Sequence, residues 1–185
     1  PQKRLCIPLK LWGRHQAHNV LAALAVAEAV GVPPDEAAAR LAEVEPEAGR
    51  LSIVRAAGDI VYVRDDGKAS PMSLGPLLDF AREAQAARKV LVVGTLSDYP
   101  GDSARAYRRC AQSALALADE VIFVGPNAGR VARVEGADGR HPVILGTMRE
   151  LAAHLDAHGR PGDLVFLKAS GADHMERVAL QIFVL

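Results

Sequence analysis

The residue types and spacing best suited to chemistry on phosphates lie together in Val63-Arg64-Asp65-Asp66-Gly67-Lys68-Ala69-Ser70-Pro71. An apolar strand ends there in two carboxylates, a glycine and a lysine, and a helix follows. A strand delivers side chains rigidly to its carboxyl end, and Gly67 lets the backbone turn or approach a ligand closely. Ser70 reads as an N-cap and Pro71 as a residue of the first helical turn. The new helix points partial positive charge at this junction and Lys68 adds a full charge, so an anion is favoured there. Asp65 and Asp66 also have the form of a carboxylate pair for acid-base work, with a plain acidic turn as the alternative.

Other candidate centres have less support. His15 and His18 are three apart at the start of a helix, a chelating spacing, but no third or fourth ligand stands nearby, and capping or ligand contact competes with metal binding. The chain contains no GxxxxGK(S/T) and no clean GxGxxG after a strand, so it has no nucleotide fingerprint that stands alone. No serine lies in a nucleophile elbow, and Ser170 reads more simply as a cap than as a nucleophile. Cys6 and Cys110 lack metal-type spacing and are expected to be reduced, mostly buried thiols.

The elements that must position these groups divide at Glu45-Pro46-Glu47-Ala48-Gly49-Arg50, a polar stretch punctuated by proline and glycine. Before it, Leu5 to Trp12 reads as a strand. The alanine-rich run from Val20 to Ala27 reads as a helix apolar on nearly every side, hence buried, and ending at Gly31. A second helix starts at Pro33-Pro34-Asp35-Glu36 and reaches about Glu45-Pro46. Beyond the boundary strands and helices alternate. Leu51 to Ala56 and Ile60 to Val63 are strands of a possible hairpin, followed by a helix from Pro71 to about Ala87. Lys89 to Gly94, Val121 to Gly125 and Leu164 to Leu167 are continuous apolar runs of the kind found inside a parallel sheet covered on both faces.

Ser103 to Ala118 is helical, and Asn127 to Arg140 holds a short helix and a loop. His141 to Leu145 is a short strand, and Thr147-Met148-Arg149-Glu150 has capping-box spacing for a helix to Ala157. Asp173 and Glu176 are expected to cap a last helix. This order predicts a three-layer α/β domain whose crevice lies at the carboxyl ends of the strands, with the loops at 66–70, 95–102 and 168–171 on one rim.

The chain has 185 residues, 50% of them hydrophobic and 24% charged, with a formal net charge of zero. That is a globular composition with no long-range attraction to nucleic acid or anionic membrane. No run approaches the roughly 20 apolar residues a membrane span needs, and the basic start leads into no signal-type segment, so a cytoplasmic protein is expected. The first residue is Pro1, which suggests a fragment whose beginning is missing.

Several signals together match a family. Gly13-Arg14-His15-Gln16-Ala17-His18-Asn19-Val20-Leu21-Ala22-Ala23, then Gly49-Arg50, then Asp66-Gly67-Lys68-Ala69-Ser70-Pro71, then Leu167-Lys168-Ala169-Ser170 with Met175-Glu176 occur in the order seen in Mur ligases. The chain resembles the end of their central domain (1–48) followed by their Rossmann-like carboxyl-terminal domain (49–185). The late segment looks most like the branch that adds D-alanyl-D-alanine to the muramyl tripeptide. The Asp-Gly-Lys-Ala-Ser segment is nearer to the Asp-Ser-Lys-Ala-Thr of the D-glutamate-adding branch. Both a cell-wall enzyme and a divergent amide ligase fit this mixed signature.

The resemblance implies an ATP-dependent carboxylate-amine ligase working through an acyl phosphate, with ATP and Mg2+ held mostly upstream of Pro1. By position it implies that His15, Gln16 and Asn19 belong to the adenine-contacting motif. Gln16 stands where Asn is usual, with the same donor and acceptor. Arg50 then corresponds to the arginine that reaches the phosphates and Asp66 to the carboxylate that binds ribose. Lys68 corresponds to a group that stabilises phosphate charge, and Lys168 and Ser170 to contacts with the carboxylate of the amino substrate. The partners implied are that amino acid or peptide, a carboxylate acceptor and the rest of the enzyme. Without its P-loop the fragment alone is expected to be inactive. A non-catalytic nucleotide- or amino-acid-binding module of the same fold is the alternative, and an unrelated doubly wound domain is a third possibility.

Overall fold

The computed structural model describes residues 4–178. Six strands, β1 (Ser52–Arg55), β2 (Val61–Asp65), β3 (Arg88–Val93), β4 (Glu120–Val124), β5 (Val143–Leu145) and β6 (Asp163–Lys168), form one sheet in the order β1-β2-β6-β3-β4-β5. The β1-β2 pair is an antiparallel hairpin and every other pairing is parallel. The apolar runs account for this, because strands inside a parallel sheet are buried on both faces. Val63, Leu91, Val93, Phe123 and Phe166 point into one core, with residues of α3 (Pro71–Glu83) and α4 (Ser103–Leu115). Their neighbours Tyr62, Val90, Val92, Ile122 and Leu167 point into the other, against α5 (Met148–His158).

Local signals explain the helix starts. Thr147 and Glu150 make the expected capping box for α5, and Asp102 accepts from the amides of Ala104 and Arg105 at the start of α4. Ser70 occupies the N-cap position of α3, with Pro71 at the first helical residue, but its side chain caps no amide. Its carbonyl accepts from Ser73 and Leu74 instead.

Three expectations need correction. Leu5 to Trp12 has no regular secondary structure. A strand requires a ladder partner, and this segment pairs with neither edge of the sheet; Trp12 lies against Phe80, ring centroids 6.1 Å apart. Helix α1 (Gln16–Ala29) forms but is not buried: Val20 is its one buried residue, while Leu21 and Val26 are each 64% exposed. It packs against α2 (Pro34–Ala42), too short to cover an all-round apolar helix. Cys6 is exposed, and only Cys110 is buried. Asp173 forms a capping box with Ser170 at the 3-10 turn Gly171–Asp173 and also binds another loop, as described below; Glu176 sits 3.1 Å from His174, and the body of the last helix lies outside the described residues. Helices α2, α3 and α4 also end a few residues earlier than their apolar patterns suggested.

Candidate active site at the carboxyl ends of the strands

Strand β6 is inserted between β2 and β3. The chain crosses it through α3 on one face, and returns to it through α5 on the other, so adjacent connections leave the carboxyl edge in opposite directions. Such a switch point leaves a crevice. The three expected loops do share this rim. Gly94 N donates to Lys168 O at 2.8 Å, and Ser97 N to Ala69 O at 2.9 Å. Asp173 clamps the first of these contacts, accepting from Thr95 N (2.8 Å), Thr95 Oγ1 (2.6 Å) and Ser170 N (3.1 Å). A Cβ at Gly94 would come within 2.8 Å of that carboxylate, so only glycine permits the approach.

Asp66 is buried at the end of β2, where Arg64 donates to it through Nε (3.2 Å) and Nη2 (3.0 Å). Gly49 packs directly against it. Its φ is +76°, and a Cβ there would lie 2.6 Å from Asp66 Oδ1. Gly67 N donates to Gly49 O at 3.1 Å, and a Cβ on Gly67 would lie 3.4 Å from the Arg50 Nε. The sequence-distant pairs Gly49-Arg50 and Asp66-Gly67 therefore adjoin, with Asp66 fixed and Arg50 exposed beside it.

Lys68 stands on the same rim, half exposed, its ammonium 2.5 Å from Asp98 of the β3-α4 loop. The hydrogen bond from Lys68 is the main influence holding the Asp98 carboxyl below its usual range. Both groups are open to water, so the pair is weak and readily exchanged.

Lys168 is placed otherwise than a surface contact would require. It is 0% exposed and donates to Asp65 Oδ2 at 2.5 Å. Burial pushes its pKa down while Asp65 opposes that shift. The two residues are register partners on β2 and β6. Ser170 is half-buried and tied by its amide to Asp173.

His15, Gln16 and Asn19 form a second group at the start of α1. Asn19 Nδ2 donates to Gln16 Oε1 at 2.7 Å, and the buried Nδ1 of His15 has no hydrogen-bond partner among the described residues. Gly13 connects this group to the first: a Cβ on it would lie 2.8 Å from His15 Nδ1 and 3.4 Å from Leu51 Cδ1, next to Arg50. Among the described residues no cluster of three or more His, Cys, Asp or Glu could hold a metal ion, and His18 finds no ligand set with His15.

This geometry, a switch-point rim that carries a fixed carboxylate and two exposed cations, coincides with a recognised domain. Residues 49–171 match the family model described as Mur ligase, glutamate ligase domain. The chain belongs to the Mur ligase family. It is 34% identical over 176 residues to the UDP-N-acetylmuramoyl-tripeptide--D-alanyl-D-alanine ligase of Treponema pallidum, covering 93% of this chain and 38% of that one. The MurF ligase of Thermotoga maritima in complex with ADP superposes with a TM-score of 0.76 at 24% identity, covering 93% of this chain and 38% of its own. A MurF structure from Acinetobacter baumannii gives 0.80 at 23% identity, covering 95% and 39%. These structural likenesses establish the fold, a Rossmann-like α/β domain with a mostly parallel sheet. The chain spans less than two fifths of each of these relatives.

Sequence reasoning missed Arg64, Asp98 and Asp173 as organisers of this Mur ligase rim. An acidic residue after a strand signals a loop, but only the sheet order reveals which loop it meets.

Proposed function

We propose that this chain is the carboxyl-terminal part of an ATP-dependent ligase that joins a carboxylate to an amine. The observation that carries the reading is that one rim holds a buried and oriented Asp66 together with the exposed cations Arg50, beside Gly67, and Lys68. A fixed acceptor suits a sugar hydroxyl and exposed cations suit phosphates, so the residues fit ATP. In this reading Asp66 holds the ribose and Arg50 and Lys68 the phosphates, while Gln16 and Asn19 face adenine with His15 beside them. ATP, when bound, supplies the phosphoryl group that activates the substrate carboxylate. Positioning and positive charge are what this chain contributes. Mg2+ belongs with groups outside the described residues.

Ser170 faces the carboxylate of the amino substrate in this reading. Lys168 acts from beneath, holding Asp65 at the root of Asp66. Residues 1–48 are assigned to the end of a central ATPase domain and 49–185 to the carboxyl-terminal domain, and the uncovered apolar surface of α1 supports a further domain packing there. No helix among the described residues is long and apolar enough to cross a membrane; with two free cysteines this fits a cytoplasmic enzyme. The acceptor class proposed is a muramyl peptide and the donor of the amine an amino acid or dipeptide, as the names of the relatives suggest.

The test is phosphate release by the full-length parent, screened with amino acids, D-alanyl-D-alanine and muramyl peptides. Release that depends on both substrates supports the ligase. A parent that binds ATP yet never turns it over with any pair would favour the non-catalytic binding module. The 185-residue chain alone should show no turnover.

A further inference from the structure

A cleft of about 570 Å³ opens between α3 and α4, beside the rim but on the outer face of the domain. Its volume is in the range of small-molecule sites, roughly 300 to 1,000 Å³. Leu74, Leu96 and Tyr99 give it apolar walls, and Arg105 and Arg109 stand at its edge.

The two arginines are one turn apart on the same face of α4, a spacing at which like charges oppose one another. Among the described residues neither guanidinium has an ion-pair or hydrogen-bond partner, whereas the neighbouring Arg108 has Asp102 at 3.8 Å. Asp102 also lines the cleft, but its carboxylate accepts from the amides of Ala104 and Arg105 and lies 3.8 Å from Arg108, and it forms no ion pair with Arg105 or Arg109. An anion between the arginines would relieve their repulsion and take bidentate hydrogen bonds.

The opposite wall is kept open by Gly75, within α3. A helix-interior glycine is less favourable than alanine, yet a Cβ there would meet nothing within 4 Å. Beyond its chain neighbours nothing crowds the position, so a larger side chain would project into the cleft; Pro76, which follows it inside the helix, gives glycine a local backbone reason as well. Cys110 also lines the cleft, with its thiol pushed up to about 12 by burial, so it presents a neutral sulfur and not a thiolate.

We propose that this cleft binds a small organic anion with an apolar body, its carboxylate or phosphate held between Arg105 and Arg109 and its apolar part against Leu74, Leu96 and Tyr99. The site is separate from the groups assigned to ATP and does not depend on the ligase reading. It is coupled to the rim: Leu96 N is held by Tyr107 Oη at 2.9 Å, and the next residue, Ser97, donates to Ala69, the neighbour of Lys68. An occupant therefore bears on the loops that carry Lys68 and Asp98.

Titrating the ¹⁵N-labelled chain with 3-phenylpropionate, and following amide resonances, tests the proposal. Saturable shifts should centre on Leu74, Leu96, Tyr99, Arg105 and Arg109 and extend to Ser97 and Ala69. The double variant R105Q/R109Q should weaken binding by about tenfold or more, the loss expected for charge-assisted hydrogen bonds. Gly75→Leu, which changes no charge, should abolish the shifts while the rest of the spectrum stays native. Equal binding of the neutral 3-phenylpropanamide, equal affinity for inorganic phosphate, retained binding in either variant, or no shifts up to about 10 mM ligand, a bound of a few kcal/mol, would each overturn it.

Discussion

Replacing Asp65 by Asn probes the least expected feature of the rim, the enclosed lysine beneath it. Lys168 is fully buried, and the carboxylate 2.5 Å away is its one ion-pair partner among the described residues. Asn keeps the shape and one acceptor oxygen but leaves a buried ammonium without a countercharge. The cost of breaking such a pair is about 3 to 5 kcal/mol, and the retained acceptor places this variant at the lower end. For a chain of this size that is a fall in Tm of roughly 6 to 12 °C.

The loss should depend on pH in a definite sense. The lysine pKa is lowered from 10.5 in the folded protein, so the unfolded chain holds that proton more tightly. Stability from this group therefore rises with pH in the interval below 10.5. Removing Asp65 takes away the interactions that oppose the lowering, so the interval widens downward, and the variant should recover part of its deficit by about pH 9. Adding Lys168→Met should bring stability back to within about 1 kcal/mol of the parent chain, because no buried charge remains. Urea unfolding of the three proteins across pH measures all of this. A single-variant loss below about 1 kcal/mol, or a double variant less stable than the single, would refute the reasoning.

Other perturbations act on the same rim. Gly49→Ala combines a positive φ with a 2.6 Å approach to Asp66 Oδ1, and should cost about 1 to 3 kcal/mol by thermal unfolding. If it proves neutral, the backbone at 49 is free to move away from Asp66. Asp173→Ala removes the acceptor for Thr95 and Ser170 and should destabilise the chain by about 2 to 4 kcal/mol, with three half-buried hydrogen bonds to a carboxylate lost. Amide exchange of Thr95 and Ser170 should rise by more than that of β4; uniform protection would contradict the clamp.

Much of this was legible in residue order because it rests on local rules. The runs at β3, β4 and β6 are continuous because both faces of a parallel sheet are covered, and Thr147 and Glu150 carry their capping geometry in their spacing. Leu5 to Trp12 has the composition of a strand, but a strand exists only by pairing, and no local rule reports a missing partner. The burial expected of α1 failed for a related reason, since an all-apolar helix states that it needs a cover without supplying one.

The residues proposed for the site can be named from the sequence, but their arrangement cannot. Asp66, Lys68 and Arg50 were named from their types and motif, yet the meeting of Gly49 with Asp66 depends on a fold contact. Lys168 and Asp65 are 103 residues apart in sequence, and only the insertion of β6 beside β2 makes them neighbours. That insertion buries a lysine that reads as a ligand contact and sets its ammonium against Asp65.

The central claim is that Lys68 stabilises charge on the transferring phosphates. It is tested most directly by the turnover number of Lys68→Ala in the full-length parent at saturating substrates. A fall of about a hundredfold or more, with the fold intact, is the predicted result, as for other lost transition-state charge contacts. Turnover within a factor of a few of the parent would contradict it, and would leave Lys68 as no more than the surface partner of Asp98.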